Sequence, residues 1–465
     1  MTHLSSHSRS APLFALLFIA LALPIRAGDY SAPGLHQPGW RDITVTRPDT
    51  TTFAAAVYYP ALTPGSGAPL DPAGGPYAAI SFGHGYLMTV DKYQSTLEHL
   101  ASWGFIVIAP RSAANFFPSH QTFANDLSQC LTQLAIENAN AASWLFAVVD
   151  ENHFAMSGHS MGGGCSILAT AADPRIRVLA NLAAAETNPS AIAAMPAIGV
   201  PVFLISGSED GIVPVQNHGQ RMYNNGNPPL QLPLLLGGYH CGFMDFSVPF
   251  CDSGSMPRDV QLSITRRLLT ATFSLYLKND QSAWRTIWGP ESLSDPNVQL
   301  ELNSGISLTA ANTTLTACPG QTLAFAVTLK NSGPTATTYS LAVEDNAWPA
   351  DAIPNQTDPL VPGETRNVTV EVATPTGPGP ATDAPLLSAR SNADAGTRTY
   401  LMLSARRAGI TGDLDLNAVV DLSDLAVLLS NYGLPGTPET GDLDDNQFID
   451  LSDISILLSH FGENC

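Results

Sequence analysis

The sequence predicts an α/β fold, a mostly parallel sheet with helices on both faces, followed by a β-sandwich and then a small helical unit. Three observations lead there. Short apolar runs alternate with helical patterns between residues 40 and 280. From 298 to 405 the helical periodicity stops, and strand-like segments alternate with clusters of Gly, Pro, Asn and Thr. After residue 409 the chain repeats itself.

In the first region the runs at 54–59, 78–82, 105–109, 154–157, 178–182, 202–206 and 233–236 read as strands. They are near-continuously apolar rather than apolar at alternate residues, as expected of strands buried on both faces. Between them, 92–103, 122–137, 161–171 and 257–277 read as helices. Strand-helix alternation implies crossover connections and parallel pairing. In the second region 322–329, 338–343, 366–372 and 399–404 read as strands of a sandwich, with no reactive constellation among them. The expected organisation is a leader at 1–28, a catalytic domain at 29–295, an immunoglobulin-like sandwich serving as spacer or accessory domain at 296–408, and the helical unit at 409–465. The leader reads as a signal peptide: Arg9 and nearby histidines, an uncharged apolar run at 11–24, and a small residue, Ala27, before a cut. That run is shorter than the ~20 residues that span a bilayer, so an exported protein with no membrane span is expected, extracellular or held on a cell-surface scaffold.

Forty acidic residues face 20 basic ones, a net charge of −20. That balance opposes binding to nucleic acid or anionic membrane. The charge is uneven, since 409–465 holds no Lys or Arg at all. Of the six cysteines, Cys241 and Cys251 are the first candidates for a disulfide in an oxidising compartment. Cys130 and Cys165 fall in successive helices, so they also could meet, and the spacing alone leaves the connectivity open.

Residues 158–162 read Gly-His-Ser-Met-Gly, after an apolar run and before Gly163, Gly164 and a helical pattern. A nucleophilic serine on a tight strand-to-helix turn needs flanking residues without side chains. A serine hydroxyl is a weak nucleophile at neutral pH, so a base and an orienting acid must follow. Asp210 comes just after the strand at 202–206, and His240 just after the strand at 233–236. Both are carboxyl ends of parallel strands, where sites form in such sheets. Ser160, Asp210 and His240 are thus nucleophile, acid and base, with Glu209 the adjacent alternative acid. The backbone N–H of Met161 is one oxyanion donor. The loop Phe82-Gly83-His84-Gly85-Tyr86 supplies the other, Tyr86 or alternatively Gly85. His84 comes too early in the chain to be the base, and His159 reads as packing within the turn. The short connection from 182 to 202 leaves little room for a lid, which predicts an open site suited to bulky or polymeric substrates.

These motifs, together with GFIVIAP at 104–110, GSEDGIVP at 207–214 and GGYHCG at 237–242, resemble the α/β-hydrolase fold of the cutinase-like polyester hydrolases and the related dienelactone-hydrolase and chlorophyllase group. The resemblance implies a serine carboxylester hydrolase without a catalytic cofactor, with the same five residues in the same roles and polyester among its substrates. Two departures stand out. His84 occupies the place of a proline common in the polyester-degrading members, and 184–188 reads Ala-Ala-Glu-Thr-Asn where those members carry a tryptophan clamp. Other readings are an acetyl- or feruloyl-type esterase on polysaccharide, or a binding protein on a decayed hydrolase fold. The intact Ser, Asp and His oppose the last.

The repeat pairs 412–433 with 441–462, identical at 13 of 22 positions by direct comparison. Each copy places oxygen donors at EF-hand spacing. In the first these are Asp413, Asp415, Asn417, the carbonyl of Val419, Asp421 and Asp424. In the second they are Asp442, Asp444, Asn446, the carbonyl of Phe448, Asp450 and Asp453. Hard oxygens at this spacing point to two structural Ca²⁺ ions. Two loop-helix units 29 residues apart resemble a type I dockerin, which implies a cohesin-type protein partner. Position 12 is Asp rather than Glu, and the usual Gly at position 6 is Ala418 or Gln447.

Overall fold

The computed structural model describes residues 28–377 and 379–465. The expected leader, apart from Gly28, lies outside the described residues. A ten-stranded sheet organises the first part of the chain. Its strands are β1 (Gln37–Thr46), β2 (Thr52–Ala61), β3 (Gly65–Ser66), β4 (Tyr77–Gly83), β5 (Ile106–Pro110), β6 (Val149–His159), β7 (Ile176–Leu182), β8 (Val202–Gly207), β9 (Leu230–Leu235) and β10 (Val298–Asn303). They lie in the order β10-β9-β8-β7-β6-β4-β5-β2-β1-β3. From β5 through β9 all pairings are parallel. The β2 and β10 pairings that flank this block are antiparallel. Strands β4, β5 and β8 are buried along their whole length, which explains why apolar runs marked them.

Helices α1 (Gln94–Ser102), α2 (His120–Ala139), α3 (Met161–Ala172), α4 (Ala191–Ala194), α5 (Gly219–Asn225), α6 (Arg258–Leu277) and α7 (Trp284–Ile287) cover the sheet. Phe123, Leu127 and Leu131 of α2 and Cys165 and Ile167 of α3 pack one face. Leu97 and Leu100 of α1 and Leu269 and Phe273 of α6 pack the other. The switch into α2 is marked by Ser119, whose side chain accepts from the Thr122 N–H, a serine N-cap.

Strands β1, β3 and β10 escape the apolar-run signal; β3 is only two residues long. Strand β1, next to the short β3, and the edge strand β10 are largely exposed or half-exposed, so neither reads as an apolar run. The boundary expected at 295 falls before β10, and the pairing of Val298–Asn303 with Leu230–Leu235 carries the sheet past it.

The next ten strands are β11 (Ile306–Ala310), β12 (Thr314–Ala317), β13 (Thr322–Asn331), β14 (Tyr339–Glu344), β15 (Ala350–Ile353), β16 (Thr365–Ala373), β17 (Thr382–Asp383), β18 (Leu386–Ser391), β19 (Arg398–Met402) and β20 (Ser404–Arg407). They form one four-stranded and two three-stranded sheets around a shared core that includes Phe325, Leu341, Trp348 and Val370. Strand β13 alternates exposed and buried residues, the pattern of a sheet with one wet face. The C-terminal unit holds α8 (Leu422–Ser430) and α9 (Leu451–Ser459) over a core of Val420, Leu428, Ile449 and Leu457. Each pair of core positions is one repeat apart.

Cys241 and Cys251 form a disulfide, and so do Cys318 and Cys465. The second ties the C-terminal unit to the strand-rich region. Cys130 and Cys165 do not meet: both are buried free thiols, packed as small apolar side chains on α2 and α3. Among the described residues no helix is long and apolar enough to cross a membrane.

Three histidines are buried neutral. Burial holds the His84 and His159 imidazoles below their ordinary value and pushes His99 down to about 4. In the unfolded chain they take up protons near the usual 6.5, so below that pH the unfolded state binds more protons than the folded one. This contribution to stability is full above pH ~6.5 and is lost as the pH falls toward ~4. Urea midpoints measured at about pH 7.5 and about pH 5 should fall on acidification, and His99→Asn should flatten part of that slope.

Candidate active site

Ser160 joins the end of β6 to the start of α3 with φ 56° and ψ −121°. That region is unfavourable for a residue with a side chain, and persists only where neighbours impose it. The neighbours are visible. The Ser160 N–H donates to Leu182 O at 3.0 Å, and its carbonyl accepts from Gly164 N at 3.1 Å and Ala185 N at 2.9 Å. A Cβ on Gly158 would lie 2.5 Å from Gly162 O, one on Gly162 2.2 Å from the Gly83 carbonyl, and one on Gly164 2.1 Å from Ala185 O. The glycines of the motif are therefore places where backbone meets backbone, and the contact of Gly162 with Gly83 brings the loop after β4 against the start of α3. Met161 is the first residue of that helix, so its N–H has no acceptor within it.

The loops after β8 and β9 carry Asp210 and His240. Asp210 Oδ1 accepts from Ile212 N at 2.9 Å and Val213 N at 2.6 Å. Its other oxygen is 2.8 Å from His240 Nδ1. The two side chains are 1% and 6% exposed, so the pair is sheltered from competing water. A carboxylate at Nδ1 selects the tautomer with the proton there, and Nε2 is left free to accept. The His240 ring lies against the His159 ring at a centroid distance of 4.4 Å. The imidazole thus packs on the residue next to Ser160. Glu209 is turned to a different task, accepting from Ser255 N at 2.7 Å and Ser255 Oγ at 2.8 Å. Of the two candidate acids, the one that meets His240 is Asp210.

The Gly85 N–H donates to Tyr93 Oη at 3.0 Å, which engages one candidate oxyanion donor and leaves Tyr86. Tyr93 Oη also lies 2.8 Å from His159 Nδ1, so one buried phenol connects the loop after β4 to the serine turn. Sequence reasoning missed Tyr93, since within a predicted helix nothing distinguishes it from a core aromatic. The Tyr86 ring is exposed, and its hydroxyl donates to Phe116 O at 2.7 Å. Phe116, Phe117, Leu87 and Ile212 are exposed as well, an apolar fringe on the loops after β4, β5 and β8. Between β7 and β8 stand only the four-residue α4 and a single 3-10 turn at Met195–Ala197, with no lid.

The repeat unit gathers acid groups. The carboxylates of Asp413, Asp415 and Asp424 lie within 4.8 Å of one another, and so do those of Asp442, Asp444 and Asp453. Backbone N–H groups of Asn417 and Ala418 donate to Asp413, and that of Leu414 to Asp424. The second loop reproduces each of these bonds. Ala418 and Gln447, the residues in place of the usual glycine, have φ of 79° and 72°. The Asn417 and Asn446 side chains accept from Val419 N and Phe448 N in turn. Asp421 and Asp450 stand outside the clusters as N-caps of α8 and α9. Position 9 of such loops commonly reaches its ion through water. The oxygen-only donor set suits a hard divalent cation.

Residues 41–229 match the family model described as PET hydrolase-like. The match contains the loop after β4, the serine turn and Asp210, but ends before His240. Cutinase est1 of Thermobifida alba is 29% identical over 149 residues, 32% of this chain and 48% of that protein. Cutinase 1 of Thermobifida cellulosilytica is 26% identical over 32% of this chain and 54% of its own length. A cutinase of Thermobifida fusca is 26% identical over 32% and 47%. The chain spans about half the length of the relatives it matches.

Because a methyl on Gly162 would strike the Gly83 carbonyl rather than a movable side chain, Gly162→Ala should cost about 3 kcal/mol of stability. Chemical denaturation of the purified variant checks this, and an unchanged midpoint would contradict the packing argument.

Proposed function

We propose that the chain is an exported serine carboxylester hydrolase acting through an acyl-enzyme. The buried Asp210–His240 pair stacked against the turn that carries Ser160 is the observation that supports it most. In this reading His240 Nε2 takes the Ser160 proton as Oγ attacks the ester carbonyl. The N–H groups of Met161 and Tyr86 stabilise the oxyanion. Collapse expels the alcohol, protonated by His240. Water, deprotonated by His240, then attacks the acyl-enzyme and releases the acid and Ser160. Asp210 holds the tautomer and stabilises the imidazolium.

The open approach and the exposed apolar fringe favour a polymeric or bulky ester over a small engulfed one. The cutinases among the relatives and the PET hydrolase-like match favour polyester. The connection after β7 carries no aromatic at 184–188, so aromatic polyester of the PET kind should be the poorer substrate. Hydrolysis of short and medium p-nitrophenyl esters tests the proposal. The wild type should turn over, and Ser160→Ala should lose about four orders of magnitude or more in kcat. A folded wild type inactive on every ester would instead favour a binding protein. A strict preference for acetyl or feruloyl esters would favour action on polysaccharide.

The C-terminal unit is, in the same proposal, a structural two-calcium module. Asp413, Asp415, Asn417, Val419 and Asp424 would hold one ion, with Asp421 reaching it through water, and the equivalent residues of the second repeat would hold the other. Four large apolar positions are exposed in both copies: Val419 and Phe448, Leu422 and Leu451, Leu429 and Leu458, Tyr432 and Phe461. A duplicated apolar stripe of this kind supports docking onto a cohesin-type partner. Calorimetric titration of the chelator-treated protein should find two Ca²⁺ sites, and Asp424→Asn should remove one of them while ester hydrolysis stays unchanged. Titration without heat or saturation would overturn the assignment.

A further inference from the structure

We propose that Asp252 is a positioning residue that sets the alignment of the Asp210–His240 pair, an inference that rests on reading that pair as acid and base. One carboxylate here holds three backbone N–H groups. Asp252 Oδ2 accepts from His240 N at 2.9 Å and from Gly211 N at 3.1 Å, and Oδ1 accepts from Cys241 N at 2.9 Å. Gly211 directly follows the acid, and Cys241 directly follows the base. The side chain therefore joins the two loops at the residues that flank the 2.8 Å bond between Asp210 and His240.

Its own position is secured covalently. The disulfide between Cys241 and Cys251 anchors the residue immediately before Asp252 to the residue immediately after His240. On the strand side of the pair, backbone bonds from Ser208 N to Leu235 O and from Glu209 N to Gly238 O already tie the two loops. Beyond the pair Asp252 performs that task. Neither loop has helix or strand to stiffen it there, apart from the single 3-10 turn at His240–Phe243. Hydrogen bonds to an ionised acceptor are shorter and stronger than neutral ones, so a carboxylate suits a clamp on otherwise loose backbone. Displacements near 1 Å in such a pair cost roughly a hundredfold in rate.

Asp252→Asn tests the inference. The amide keeps the shape but replaces one accepting oxygen with a donor, which cannot bond the N–H groups it faces. Two quantities are read on the full chain well below its melting temperature. The first is kcat per active site, with sites counted by phosphonate titration of Ser160. The second is the low-field proton resonance of the His240 Nδ1–H. The variant should lose about tenfold to a hundredfold in kcat with KM within about twofold, and its low-field resonance should shift upfield or broaden. A per-site kcat equal to the wild type, or an unmoved resonance, would overturn the inference. Asp252→Ser, smaller and with one acceptor retained, is read by the same two criteria if the first variant does not fold. Should the wild type hydrolyse no ester, the ester-hydrolase reading fails by itself, while the resonance still judges the role of Asp252.

Discussion

The backbone of Ser160 is held where a residue with a side chain resists going, and the surrounding structure is arranged to hold it there. The strain of such a conformation is of order 1–3 kcal/mol, and it is distributed over hydrogen bonds to Leu182, Gly164 and Ala185. Those bonds form only if β6, β7 and α3 approach more closely than side chains allow, which is why Gly158, Gly162 and Gly164 lack them. The same closeness presses the loop after β4 onto the helix start. The serine turn and the loop after β4 are therefore one packing event rather than separate features.

A second constraint is electrostatic. Asp210 and His240 are buried together, and a buried carboxylate must be hydrogen-bonded or lose much of its charge. Asp210 meets that demand with two backbone N–H groups and the imidazole. His159, also buried, answers a different demand: burial and the neighbouring His240 ring hold it well below its ordinary value, so it adds no positive charge beside His240. Tyr93 completes this arrangement by bonding both His159 and the Gly85 amide, tying the loop after β4 to the serine turn through one hydroxyl.

The remaining parts follow a simpler logic. The strand-rich region has its own core, and Leu386 of β18 also joins the core beneath α1 and α6. The repeat unit is too small to bury much apolar surface, with four fully buried apolar side chains among the described residues. Units of that size need staples. One is the Cys318–Cys465 bond. In the proposed reading the other is bound cation at the two aspartate clusters.

The sequence by itself determined whatever depends on local period and spacing. Near-continuous apolar runs marked the strands buried on both faces, the repeat of 412–433 in 441–462 marked the duplicated unit, and the Gly-rich turn after β6 marked Ser160. Chain order and strand ends pointed to Asp210 and His240, because parallel strands present their carboxyl ends along one edge. Tertiary structure alone decided the rest. It set Asp210 rather than Glu209 against His240, bonded the Gly85 amide to Tyr93, kept Cys130 and Cys165 apart, joined Cys318 to Cys465, and brought Asp252 between the two loops. It also extended the sheet through the half-exposed β1 and β10. Each of these depends on which of several chemically similar neighbours ends up within about 3 Å of a distant group, and local sequence carries no measure of that distance.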